Sequence, residues 1–166
     1  KNREMHDSRN TSSTPGALVR KETQAPVSDR IVNANFDRLG ATYDCYKTLF
    51  GRDSYDNGGA KLISSVHYSR NYVNAYWDGT QMVYGDGDGQ EASNLAESMS
   101  VTAHELTHAV TERTSNLNYS GQSGGLNEGI SDIFGATCDW FFMGQGAVNP
   151  VIWAIGHDIW TPNGPS

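Results

Sequence analysis

The sequence predicts an α+β fold, a small and mostly antiparallel sheet packed on helices. Three observations predict it. Apolar residues recur at mixed three and four spacing from Ile31 to Phe50, the period of a helix. Short alternating runs separated by glycine-rich turns lie between residues 61 and 84 and read as strands. Two further helical segments follow, the first carrying His104 and His108 and the second carrying Glu128 and Asp132.

Composition bounds the rest. A chain of 166 residues forms one compact domain or one lobe of a larger protein. Eighteen glycines and 19% charged residues favour turns over long solvated helices. A formal net charge of −7 argues against a nucleic-acid surface. No apolar run approaches the roughly 18 residues of a membrane helix. The segment Lys1 to Thr14 is polar, unlike a signal peptide, which fits a mature chain or one not exported by that route. Cys45 and Cys138 sit in helical segments among apolar neighbours. They read as two buried free thiols, with a single long-range disulfide as the alternative.

Residues 1–30 read as irregular, with a turn at 11–16 and a short strand at Ala17–Arg20. The first helix runs from about Ser28 to Phe50. Ser28 or Asp29 caps its start and Gly51 stops it. Gly40 weakens its interior by roughly 1 kcal/mol relative to alanine, which suggests close packing against a neighbour. Strands follow at Lys61–Tyr68, Val73–Trp77 and Gln81–Tyr84, with Asp78-Gly79 as a hairpin turn. The loop Gly85-Asp-Gly-Asp-Gly89 lacks the acidic ligands of a complete calcium loop and reads as a tight turn. A helix from Ala96 or Ser98 to Thr114 is apolar around most of its circumference, hence buried. After a loop at 116–125, Asn127–Phe142 forms the last helix. The tail ends in Thr-Pro-Asn-Gly-Pro-Ser.

The chemistry lies in Val101–Val110. His104 and His108 are four residues apart and share a helix face, so both imidazoles can hold one metal ion. Glu105 stands beside the first ligand, within reach of a water on that metal; this is the His-Glu-x-x-His pattern. A catalytic zinc has three protein ligands and a water, and Glu128 is the best third ligand. Asp132, one turn on, and Asn127 can each accept the free ring N–H of a ligand histidine. Carboxylates in an otherwise apolar helix are costly unless a cation compensates them. His67 alternates on a strand and reads as structural, and His6 as solvated in a polar tail.

The runs His-Glu-Leu-Thr-His-Ala-Val-Thr (104–111) and Gly-Gly-Leu-Asn-Glu-Gly-Ile-Ser-Asp-Ile-Phe-Gly (124–135) closely resemble the thermolysin family of zinc metallopeptidases. So do Val66–Ser69, Asn74–Gly89, Pro15–Arg20 and Ala41–Asp44, so the resemblance covers nearly the whole chain. The early start before Pro15-Gly16 is similar to the shorter, protealysin-like branch. The resemblance implies a zincin lobe over residues 1–113, including the metal helix. Residues 114–166 would begin a helical C-terminal lobe. It implies hydrolysis of internal peptide bonds by zinc-activated water, with Glu105 as general base and Tyr119 donating to the developing oxyanion. Peptide would pair along Asn74 and Ala75, with Tyr76 and Trp77 lining the groove. Leu95 and Val101 would help form an apolar pocket for the residue after the cut.

Two departures qualify these expectations. Many family members bind calcium through acidic residues around the last helix and the segment after it. Here Ser100 precedes Val101, and Val, Ile, Ala and His occupy 149–159 where acidic ligands are usual. Asp139 alone survives, so the double calcium site is expected to be absent. The family's C-terminal lobe, with a second oxyanion-stabilising histidine and a substrate-binding arginine, has no aligned counterpart. The chain is therefore expected to need that lobe in cis or in trans. A non-catalytic or partner-dependent zinc lobe is the alternative function. Expected partners are a peptide or protein substrate and that lobe, with neither nucleic acid nor membrane. Secretion is usual in the family, although protealysin-like members can lack a secretory signal.

Overall fold

Helix α1, Arg30–Phe50, starts where the Asp29 side chain accepts the backbone N–H groups of Ile31 and Val32. It ends at Gly51, whose φ of 67° suits a residue without Cβ. Its buried face (Val32, Phe36 and Leu39 among others) lies on a five-stranded sheet. The computed structural model describes residues 1–162; the end of the Thr-Pro-Asn-Gly-Pro-Ser tail lies outside them.

The strands are β1 Arg3–Asp7, β2 Ala17–Lys21, β3 Leu62–Val66, β4 Ala75–Trp77 and β5 Met82–Tyr84, in the order β2-β1-β3-β5-β4. The expected antiparallel sheet is in fact mixed: β1–β3 and β3–β5 run parallel, β1–β2 and β4–β5 antiparallel. Helix α1 is the crossover that makes β1 and β3 parallel, as a connection of that length allows. A second correction concerns the N-terminus, which supplies the interior strand β1 instead of an irregular tail. Its charged residues find remote partners. Arg3 is bidentate to Glu22, and the Arg3 and Arg20 guanidinium groups each lie 3.7 Å from the Phe36 ring centroid. His6, expected to be solvated, is buried, and its Nδ1 lies 3.0 Å from the Gly16 carbonyl. A Cβ at Gly40 would sit 2.2 Å from the end of the Arg3 side chain, so glycine leaves room for that guanidinium against the helix.

Helix α2, Met99–Glu112, crosses this layer with its apolar residues inward. Helix α3, Gly121–Phe142, packs on α2; a Cβ at Gly135 would come within 2.9 Å of the Ser100 carbonyl, so glycine permits the close approach. Helix α3 starts six residues before the expected Asn127, since packing on α2 overrides the weak helix propensity of three early glycines at 121, 124 and 125. The free-thiol expectation is also overturned: Cys45 of α1 and Cys138 of α3 form a buried disulfide across 93 residues of sequence. Among the described residues no helix is long and apolar enough to cross a membrane.

Candidate zinc-peptidase site

His104 and His108 project from one face of α2, and Glu128 meets them from α3. The two Nε2 atoms are 3.0 Å apart; Glu128 lies 3.1 Å from that of His104 and 3.5 Å from that of His108. Tetrahedral zinc, with bonds of 2.0–2.1 Å, wants donors about 3.3 Å apart. The three donors therefore fit that metal. Their other atoms are held in place. His104 Nδ1 lies 2.8 Å from Asp132 Oδ1, and His108 Nδ1 lies 2.8 Å from Asn127 Oδ1. Both supports expected from sequence are thus brought to the ring nitrogens that leave Nε2 free. Burial lowers the pKa of His108, which favours the neutral imidazole that a metal needs.

Glu105 is buried beneath the cleft at 6% exposure. Burial first, and the negative charge of Glu128 second, push its carboxyl up to about 8, while a Trp77 backbone hydrogen bond works the other way. A bound dication lowers such a value. Tyr119 is exposed and donates its hydroxyl to Glu128; that bond, with some burial, raises its pKa to about 12.

A cleft of about 560 Å³ runs over these groups. Its walls include Asn74, Ala75, Tyr76 and Trp77 from the β4 side, and Tyr119, Asn127 and Glu128 from the α3 side. Among the described residues β4 pairs only with β5, so its outer edge is open. Leu95 and Val101 are placed differently: both are buried in the main core and neither lines the cleft. Sequence reasoning missed Ser131, whose Oγ lies 3.2 Å from His108 Nδ1, and missed Glu112, Asn116 and Leu117 in the cleft wall. Helical spacing offered a signal for two of them: Ser131 is four residues after Asn127, and Glu112 four after His108.

Comparison with known proteins agrees with this geometry. The profile of the thermolysin metallopeptidase catalytic domain matches residues 1–112, and that of the family's alpha-helical domain matches residues 115–166. The chain belongs to the thermolysin metallopeptidase family. It is 47% identical to bacillolysin of Bacillus cereus over 95% of its own length and 27% of the relative's. Protease PrtS of a Photorhabdus species is 43% identical over 95% of this chain and 42% of that protein. The solved precursor of protealysin, a metalloproteinase from Serratia proteamaculans, superposes with a TM-score of 0.83 at 43% identity. That match covers 86% of this chain and 44% of that one. The chain thus spans less than half the length of each of these relatives.

The calcium expectation meets a specific arrangement. The Asp139 carboxylate lies 2.9 Å from His157 Nε2, and Ser100 Oγ accepts the Gly156 N–H. Burial raises the Asp139 pKa despite that histidine. Asp139, with an imidazole on it and Asp158 as an acidic neighbour, offers fewer hard oxygens than the six or more a calcium needs.

Proposed function

We propose that this chain carries the zinc site of an endopeptidase that hydrolyses internal peptide bonds on the N-terminal side of hydrophobic residues. The convergence of His104 Nε2, His108 Nε2 and Glu128 on one point carries the reading. Zinc bound there would polarise the scissile carbonyl and lower the pKa of water. Glu105 takes a proton from the attacking water and returns it to the leaving amine. Its enclosure beneath the cleft holds the carboxylate beside the metal-binding histidines. Tyr119 turns its hydroxyl from Glu128 to the oxyanion that develops on the carbonyl. The substrate adds as a strand to the open edge of β4 at Asn74 and Ala75, with Tyr76 and Trp77 lining the groove. Leu95 and Val101 lie in the core and outside the cleft, so the preference for a hydrophobic residue after the cut rests on the family resemblance.

Glu105→Gln tests this. With a family C-terminal lobe added to both proteins, the variant should bind zinc as the parent does and lose at least about 1,000-fold in peptide hydrolysis. Equal hydrolysis by both proteins, or no zinc binding by either, sinks the proposal. A second reading, a lobe active only with a partner, is favoured by Leu126, Ile133 and Trp153, each more than half exposed. Hydrolysis that appears only when a family C-terminal lobe is added would select it. We further infer that the chain holds no calcium at Asp139; a melting temperature that rises with calcium would refute this. Export from the cytoplasm is supported by the Cys45–Cys138 disulfide and by a relative named extracellular metalloprotease from Pectobacterium carotovorum.

A further inference from the structure

Glu112 has no part in the chemistry assigned above, yet it sits in the same cleft. It ends α2 one turn beyond His108, so His104, His108 and Glu112 fall at i, i+4 and i+8 on one helix face. The Trp77 indole N–H donates to Glu112 Oε2 at 2.8 Å and joins the end of the edge strand to the end of the metal helix. The carboxylate is exposed, and its other oxygen has no hydrogen-bond partner among the described residues.

The charges around it are one-sided. No lysine or arginine lines the cleft. Glu128 faces the two histidines, and Glu105 is buried. Glu112 is therefore the exposed carboxylate of the cleft wall that no cation answers, since no ion pair reaches it among the described residues. Its distance from the metal ligands also has a meaning for an extended substrate. One helical turn is about 5.4 Å, and a strand advances about 3.3 Å per residue. The span from His108 to Glu112 corresponds to one or two substrate residues.

We infer that Glu112 determines specificity by favouring a cationic side chain, lysine or arginine, one or two positions from the scissile bond of a peptide lying along β4. The inference rests on the peptidase reading for its class of substrate, but binding alone tests it. The Trp77 hydrogen bond fixes the carboxylate and so reduces the entropy lost when a cation docks. An accessible ion pair of this kind is worth about a five-fold preference.

The experiment uses the zinc-loaded chain carrying Glu105→Gln, so that bound peptide persists. Fluorescein-labelled hexapeptides differ only in having lysine or norleucine at one position, scanned along the peptide. Fluorescence anisotropy gives each affinity. At one position lysine should bind about five-fold more tightly than norleucine, and about 0.5 M salt should shrink that ratio. Adding Glu112→Gln, which keeps an acceptor for the Trp77 indole, should bring the ratio to about one. No lysine preference at any position overturns the inference. A ratio unchanged by Glu112→Gln, with both affinities weakened alike, also overturns it and leaves Glu112 as a support for Trp77. Failure of every peptide to bind counts against the peptidase reading as well. Lysine-selective binding without any hydrolysis by the Glu105 parent, even with a family C-terminal lobe added, overturns that reading alone.

Discussion

His67 and His104 both set Nδ1 against a carboxylate, at 2.7 Å from Asp86 and 2.8 Å from Asp132. Their second nitrogens differ. His67 Nε2 is 3.0 Å from a second carboxylate, that of Asp29, whereas His104 Nε2 points to the place where His108 and Glu128 converge. His67 lies between two carboxylates, and no second histidine converges on it among the described residues, so both of its nitrogens hold protons. It is a cation, and the Asp86 hydrogen bond, ahead of the Asp29 contact, lifts its pKa to about 9. Burial pushes Asp86 up, but His67, Asn10 and Asn94 together hold it below its ordinary value. This cluster joins the N-cap of α1, the residue after β3 and the loop after β5. The same residue types thus make a fastener in one place and a metal site in the other. What separates them is that His104 shares its carboxylate, Glu128, with a second histidine, so that three donors converge on one point.

Breaking the metal cluster should have the largest effect. Glu128→Ala leaves two protein ligands, and zinc affinity measured by chelator competition should fall at least roughly 1,000-fold, with the His67 cluster unaltered. Removing the disulfide as the Cys45→Ala, Cys138→Ala pair should cost about 4–5 kcal/mol, the loop-closure value for some 93 residues, in urea unfolding. A loss below about 1 kcal/mol would mean that packing of α1 on α3 already holds the helix that carries Glu128. Asp132→Ala removes the group that orients His104, and zinc should bind about 10–100-fold more weakly with little change in melting temperature.

The fastener should respond to pH in a direction set by its raised pKa. Its stabilisation is complete below the ordinary histidine value of 6.5 and is lost as pH rises through about 9. His67→Gln should therefore lower stability by roughly 2 kcal/mol at pH 6 and by less at pH 9.5, with zinc affinity unchanged. Equal destabilisation at the two pH values would show that the ring acts by shape and not by charge.

Much of both clusters was legible in the linear chain, for reasons that differ. The four-residue spacing of His104 and His108 is local, because helical periodicity alone puts them on one face. Glu128 and Asp132 were legible only beside the His-Glu-x-x-His helix; the cost of burying them was no guide, since Glu128 is part-exposed and Asp132 exposed. His67 was readable as structural from its place in an alternating strand, but its partners Asp29 and Asp86 come from 38 and 19 residues away. The N-terminal strand was not legible. Arg3, Glu4, His6 and Asp7 look like a solvated tail until Glu22, Phe36, Lys61 and Gly16 are beside them.

The sequence by itself determined the helices, the strands after residue 16, the turn chemistry and the paired histidines of the metal site. Each depends on residues within a turn or two of one another, where spacing and propensity act without help. The tertiary structure decided the mixed order of the sheet, the burial of β1, the pairing of Cys45 with Cys138 and the hold of Trp77 on Glu112. Those depend on the crossing of α1 between β1 and β3 and on the packing of α3 against α2, contacts that no local pattern encodes.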